Sequence, residues 1–175
     1  MGGGPHALVS RVGLAVSAHQ EPRQIVLRAM GRDDLPAVLE IERRSFAQPW
    51  SRALFEKELT TPFAHLVTAV EEHGPRAVIA GYTCRWRVTD TDEVHLLNVA
   101  VHPERRGLGY GRVLVEAVID EARVARARVV FLEVRAGNVV ARRLYRLLGF
   151  RDLSIRRGYY GPGQDAIVME LDLTQ

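Results

Sequence analysis

The sequence predicts an α+β domain: a mixed, mostly antiparallel sheet with helices on both faces and one parallel βαβ crossover. Strand-like runs at Ala64 to Val70, Ala77 to Val88 and Val94 to Val101 succeed one another across turn-like breaks at His73 to Pro75 and Asp90 to Glu93, the pattern of an antiparallel meander. The period then changes. Val113, Leu114, Val118, Ile119 and Ala122 recur at helical spacing, and the β-branched run Val129 to Val134 follows. Strand, loop, helix and strand in that order imply a locally parallel pair, because a parallel connection needs a crossover.

The other elements are placed by their caps and periods. Met1 to Gln24 opens Gly-Gly-Gly-Pro, keeps no sustained period and is expected to be a flexible extension, with the folded domain at 25–175. Ile25 to Ala29 is a short strand. Asp33 is placed to cap a helix buried through Leu35, Val38, Leu39 and Ile41, with Pro36 in its tolerated first turn. Ser45 to Trp50 is a loop, and Ser51 caps a second helix carrying Leu54, Phe55 and Leu59. Asn138 caps a last helix whose Val140, Leu144, Leu147 and Leu148 are expected to face the core, and Gly149 is its left-handed terminator. Strands Phe150 to Arg156 and Ala166 to Leu171, joined by a loop over Gly158 to Gly163, close the chain.

Composition narrows the function classes. A chain of 175 residues with 47% hydrophobic content buries a core without disulfides or structural metal. Cys84 is the single cysteine and lies in an apolar run, which reads as a buried thiol. The formal charge is +3, carried almost wholly by arginine, since Lys57 is the only lysine. Arginine suits phosphate through its planar fork, but acidic residues are interspersed, so a mixed solvated surface is expected and no direct nucleic-acid partner. No apolar run approaches the roughly 20 residues that span a bilayer. Arg11 interrupts the apolar stretch Ala7 to Ala18 and His6 stands where a myristoylation signal wants serine or threonine, so a cytoplasmic protein is expected. The histidines show no ligand spacing, and no metal is expected.

The run His102-Pro-Glu-Arg-Arg-Gly-Leu-Gly-Tyr-Gly-Arg112 sits between a strand and an amphipathic helix. Gly107, Gly109 and Gly111 let a ligand approach the backbone closely, and the amides and positive dipole end of the following helix form an anion site to which Arg106 and Arg112 add charge. A Rossmann fingerprint fails, because Gly107-x-Gly109 leads to Arg112 and Gly109-x-Gly111 to Leu114. A P-loop fails for want of Gly-Lys-Ser/Thr. On spacing alone a flexible strand-to-helix turn remains open.

Arg106-Gly-Leu-Gly-Tyr-Gly111, preceded by Leu97-Asn-Val-Ala-Val-His-Pro103, resembles the Arg/Gln-x-x-Gly-x-Gly/Ala turn of the GNAT N-acetyltransferases. Gln48-Pro-Trp-Ser51, Phe131-Leu-Glu-Val-Arg-Ala-Gly-Asn138, Leu144-Tyr-Arg-Leu-Leu-Gly-Phe150 and Arg156-Arg-Gly-Tyr-Tyr160 with Asp165-Ala166 resemble the bacterial ribosomal-protein-alanine N-acetyltransferases. The resemblance implies acetyl-CoA as cosubstrate and a pantetheine arm lying where two strands splay apart. Val99, Ala100 and Val101 would then offer backbone bonds to that arm. Arg106, Gly107, Leu108, Gly109, Tyr110, Gly111 and Arg112 would hold the pyrophosphate, and Asn138 would touch the cofactor. It further implies Glu133 as general base, Tyr145 as general acid, and Pro49, Trp50, Tyr159 and Tyr160 in the loops that shape the acceptor groove. The acceptor it implies is the N-terminal α-amine of an alanine-starting small-subunit ribosomal protein. A lysine or small-molecule amine, and a non-catalytic CoA-binding module on the same fold, stay open as alternatives. Taken without the resemblance, Glu133 interrupts an apolar strand on the face opposite Val130, Leu132 and Val134, either as a ligand-facing carboxylate or as a solvated strand end. Asn138 and Tyr145 lie two helical turns apart, also compatible with an ordinary cap and a core-edge aromatic. Oligomeric state is not legible in the sequence.

Overall fold

The computed structural model describes residues 10–14, 23–73 and 76–174. In chain order the elements are β1 (Ser10–Leu14), β2 (Arg23–Ala29), α1 (Leu35–Ser45), α2 (Arg52–Glu58), β3 (Ala64–His73), β4 (Arg76–Val88), β5 (Glu93–Val101), α3 (Tyr110–Val124), β6 (Val129–Arg135), α4 (Val139–Leu147), β7 (Arg151–Arg156) and β8 (Ala166–Asp172). Single 3-10 turns, Arg32–Asp34 and Pro103–Arg105, precede α1 and follow β5. The sheet is open and eight-stranded in the order β1-β2-β3-β4-β5-β6-β8-β7. β5 and β6 pair in parallel, bridged by α3, whereas β1/β2, β2/β3, β6/β8 and β7/β8 pair antiparallel. The fold class is the expected mixed, mostly antiparallel α+β sheet with helices on its faces. Of the stretch expected to be an extension, Ser10–Leu14 forms β1 and pairs along β2; the turn at Gly74 and Pro75 lies outside the described residues.

The chain divides into two compact units, Met1–Cys84 with Val99–Leu114, and Arg85–Asn98 with Val115–Gln175. In the first, Leu35, Val38 and Ile41 of α1 are buried at the expected helical spacing, together with Phe55 of α2 and Ile25 and Leu27 of β2, whereas Leu39, expected among them, is half-buried. Phe55 meets the edge of Tyr82 at 5.6 Å between ring centroids. Asp33 is not the cap. Asp34 turns back instead, accepting from Gly31 N at 2.8 Å and from both terminal nitrogens of Arg28 at 2.7 Å each. Burial alone would push the Asp34 carboxyl up, but the Arg28 guanidinium and the Gly31 amide hold it below the usual carboxylate range. The two aspartates are adjacent in sequence, and only the backbone path of the 3-10 turn decides which one reaches the amide. Ser51 caps α2 as expected, its Oγ accepting from Leu54 N at 3.2 Å.

In the second unit β6 alternates as its sequence predicts, with Val130, Leu132 and Val134 buried and Val129, Phe131, Glu133 and Arg135 half-buried. The parallel register runs from Glu93↔Val129 to Leu96↔Leu132 and stops there, although β6 continues to Arg135. Its far side stays paired with β8 along the whole strand, from Val129↔Asp172 to Arg135↔Ala166. Asn138 caps α4 by accepting from Ala141 N at 3.1 Å, and Gly149 ends it at φ +94°. The burial expected along α4 is corrected. Val140 is 83% and Leu147 74% exposed, Leu144 and Leu148 are half-buried, and Tyr145 is the helix's buried residue. Leu147 and Leu148 line a shallow surface cleft with Glu116, Ile119, Asp120 and Arg123 of α3. Helical period identifies residues sharing a face but not whether anything covers that face.

Gly81 of β4 fixes a close approach. A Cβ placed there would stand 2.7 Å from the Ala100 carbonyl oxygen of β5 and 2.9 Å from Leu114 Cδ1 of α3. The carbonyl is backbone within a sheet and cannot yield as a flexible side chain would. Gly81→Ala is therefore expected to cost about 1–3 kcal/mol through overpacking. An unchanged urea midpoint would show that β4 and the start of α3 are not held at this spacing.

Candidate functional site

In the first unit the glycine-rich turn has the conformation its composition requires. After Val101, His102 donates its amide to Ala80 O at 2.8 Å, and its side chain accepts from Glu104 N at 3.3 Å to open the 3-10 turn. Gly107 and Gly109 then adopt φ +76° and +88°, the left-handed region that a side chain rarely enters. Space beside Gly107 is open, with nothing within 4 Å of where a Cβ would stand. The hydrogen-bond ladder of α3 begins with Val113 N donating to Gly109 O at 3.1 Å. Amides ahead of that point have no helical carbonyl to serve, as at any helix start, and the positive end of the helix dipole lies there. Exposed glycines, left-handed turns and an opening helix fit an anionic group of diphosphate size.

The side chains around the turn are divided between bracing and core. Arg106 donates Nε to Val101 O at 3.2 Å and a terminal nitrogen to Ser45 Oγ at 2.9 Å, tying the end of β5 to the end of α1. Arg105 pairs with the buried Glu71 at 2.6 Å. Tyr110 is buried and Leu108 half-buried, while Arg112 is exposed. In β5 Ala100 is buried, flanked by half-buried Val99 and Val101.

Glu42 was not singled out from sequence. It is 1% exposed on the buried side of α1, one turn after Val38, and its carboxylate accepts from Trp50 N at 2.8 Å and from the Tyr82 hydroxyl. Trp50 also stacks at a tilt on Phe55, 5.4 Å between centroids. The Gln48 to Ser51 loop is thereby anchored through its backbone, which leaves Pro49 exposed and Trp50 half-buried. A carboxylate at a core-periodic helix position was the available signal, because such a group is retained only when hydrogen-bonded.

The second unit gathers Glu133, Tyr145, Tyr159 and Tyr160. Arg156, at the end of β7, places a terminal nitrogen 2.7 Å from Glu133 Oε1. The Tyr159 hydroxyl donates to the same carboxylate, a bond that raises the phenol above its ordinary value. Tyr159 and Tyr160 meet edge to face at 5.0 Å, with the Arg156 guanidinium 5.6 Å from the Tyr159 ring centre and that of Arg135 4.8 Å from the Tyr160 ring centre. Burial raises Tyr160, and the negative charge of Glu133 adds to the shift. Tyr145 is buried beside Phe150, 5.8 Å between rings, and burial, with a smaller contribution from Tyr160, pushes its phenol up to about 12. Asn138 is exposed at the start of α4, with its side-chain oxygen committed to the cap. Chemically this is a carboxylate bonded by a guanidinium and a phenol, beside a buried phenol that keeps its proton, with Tyr159 exposed and Tyr160 half-buried.

Among the described residues, no group of three or more His, Cys, Asp and Glu side chains is arranged to hold a metal, and no helix is long and apolar enough to cross a membrane.

Comparison with known proteins matches residues 35–150 to the model of the acetyltransferase (GNAT) family. The chain is 36% identical over 146 residues to the [ribosomal protein bS18]-alanine N-acetyltransferase of Escherichia coli K12, covering 81% of this chain and 93% of that protein. It is 36% identical over 161 residues to the N-alpha-acetyltransferase RimI of Mycobacterium tuberculosis, covering 90% and 97%. The crystal structure of the ribosomal-protein-S18-alanine N-acetyltransferase from E. coli superposes with TM-score 0.76 at 34% identity, covering 86% of this chain and 95% of that one. Arabidopsis thaliana NAA60 in complex with acetyl-CoA shares the fold, with TM-score 0.76 at 20% identity and coverage of 86% and 99%.

The high Tyr145 value has a measurable sign. A phenol held near 12 in the folded protein and near 10 when unfolded contributes stability that is fully present below about pH 10 and lost between about pH 10 and 12. In absorbance titration of the folded protein, Tyr145→Phe is expected to remove a phenol that ionises only near pH 12. If the lost phenol titrates near 10 instead, Tyr145 is not held in this buried state.

Proposed function

The chain belongs to the acetyltransferase (GNAT) family, and on that premise we propose that it transfers the acetyl group of acetyl-CoA to the N-terminal α-amine of a protein in the cytoplasm, an alanine-starting ribosomal protein being the acceptor. The observation that carries the reading is the Glu133, Tyr159, Tyr160 and Tyr145 cluster, found in a chain that matches ribosomal-protein-alanine acetyltransferases over most of its length. The catalytic domain is taken as residues 25–175, with 1–24 an N-terminal extension to which β1 belongs.

Acetyl-CoA supplies a thioester-activated acyl group; binding and proton handling fall to the chain. Gly107 to Arg112 take the diphosphate on main-chain amides, with Arg106 bracing the turn, and Asn138 contributes to cofactor contact at the start of α4. The backbone of Val99, Ala100 and Val101 holds the pantetheine arm and supplies one donor to the thioester carbonyl. A donor aimed at a developing oxyanion is worth roughly 3 to 4 kcal/mol when it is lost. Pro49, Trp50, Tyr159 and Tyr160 shape the acceptor groove.

The attacking amine must be neutral, and an α-amino group with pKa near 8 is mostly protonated at pH 7. Glu133 accepts that proton. A lysine amine, near 10.4, would cost about 3 kcal/mol more to deprotonate, which favours the α-amine for a single carboxylate base. Tyr145 stays protonated throughout the physiological range and faces the leaving sulfur. Full proton transfer from a phenol near 12 to an alkyl thiolate near 8.5 is uphill by about 5 kcal/mol, so its hydrogen bond to the departing sulfur does the stabilising.

Peptides beginning with alanine, serine or methionine, offered beside a terminally blocked peptide with a free lysine, test the acceptor by mass spectrometry. Acetyl addition at the α-amine of the alanine peptide is expected; addition confined to the blocked peptide would overturn the reading. Glu133→Gln is expected to lower kcat/KM by about 10²-fold or more, and Tyr145→Phe to lower kcat with the fold retained. Unchanged turnover in both would remove their assigned roles.

A further inference from the structure

Arg156 occupies the carboxylate to which the acceptor must give its proton. Its terminal nitrogen stands 2.7 Å from Glu133 Oε1, while the side chain is 56% exposed. We infer that Arg156 is an acceptor-site residue: its guanidinium holds on Glu133 the place of the acceptor's ammonium, and the incoming N-terminus displaces it. The inference rests on the assignment of Glu133 as base and N-terminal amines as acceptors.

The surroundings allow the side chain to move while its anchor stays fixed. Arg156 pairs with Ala166 in the β7/β8 ladder, and the following loop is tied by Gly158 N donating to Asp165 Oδ1 at 2.9 Å. The guanidinium lies 5.6 Å from the Tyr159 ring centre, so an aromatic face is at hand once the carboxylate is released. Tyr159 also bonds Glu133, which keeps one partner on the carboxylate during the exchange. Arg135 is engaged elsewhere, over Tyr160 and with Gln164 Oε1 at 3.0 Å, so it does not take over the vacated place.

Energetically the exchange is cheap. An exposed ion pair contributes about 0–1 kcal/mol, and one cation replaces another, so the charge around Glu133 is conserved. A neutral, already acetylated terminus brings no cation and does not open the pair. Arg156 thus acts as an internal competitor that favours charged N-termini over blocked ones. Removing a purely structural arginine, or one that grips the peptide, would leave binding unchanged or weaken it.

The test measures dissociation constants for an alanine-starting peptide and its N-acetylated counterpart with CoA present. Wild type, R156Q, R156K and E133Q/R156Q beside E133Q are compared, with R156M as a second neutral variant should R156Q not fold. Neutral variants are expected to bind the free-amine peptide more tightly, by up to about fivefold, the top of the range for an exposed pair. R156K should stay near wild type, the acetylated peptide should show no gain, and the gain should vanish in the Glu133→Gln background. Weaker or unchanged binding in the neutral variants, equal tightening for the acetylated peptide, or no binding of the free-amine peptide to wild type would each overturn the inference. Wild type that binds the peptide yet acetylates none would count against the proposed function alone.

Discussion

The parallel ladder between β5 and β6 ends at Leu96↔Leu132, and past that stop Glu133 stands on a stretch of β6 paired with β8. Beyond it β6 keeps its antiparallel partner β8, and its alternation of buried and half-buried residues continues. Glu133 is the first residue past the stop. It lies on the half-buried face, at the carboxyl end of a strand in an open sheet, where such sheets commonly receive ligands. Had the ladder continued, the main chain at this point would be committed on both edges and could offer nothing to an extended ligand.

Electrostatics then sort the titratable groups around that carboxylate. Tyr159 and Arg156 bond Glu133 directly, Tyr160 feels its charge, and Tyr145 is buried and feels Tyr160 in turn. The result is a half-buried carboxylate bonded by a guanidinium and a phenol, beside a buried phenol that holds its proton to about 12. The glycine turn contributes through a different property. Its left-handed Gly107 and Gly109 are exposed, so main chain and no side chain stands at the surface there.

Much of this was legible in the sequence where one local rule suffices. The alternation of β6, the helical period of α3, the caps Ser51 and Asn138 and the terminator Gly149 each follow from residue types at fixed spacing. What was missed depends on tertiary choice. Asp33 and Asp34 are equivalent as letters, and the turn selects the second. Val140 and Leu147 carry the right period on a helix face left exposed, and Ser10–Leu14 pairs along β2 though its short run has no distinctive pattern. Glu133 and Tyr145 are singled out by motif resemblance, and the structure brings them into one cluster with Tyr159 and Tyr160. The buried Glu42 and the Arg156 pairing needed coordinates, since a charge in a sequence does not name its partner.

Main-chain recognition of the cofactor's diphosphate by the opening of α3 is the central claim, and backbone amide shifts in isotope-labelled protein test it most directly. Titration with CoA should move the Gly107, Gly109 and Gly111 amide signals along one saturable curve. Saturation elsewhere with those glycines unmoved, or no saturable response at all, would contradict it.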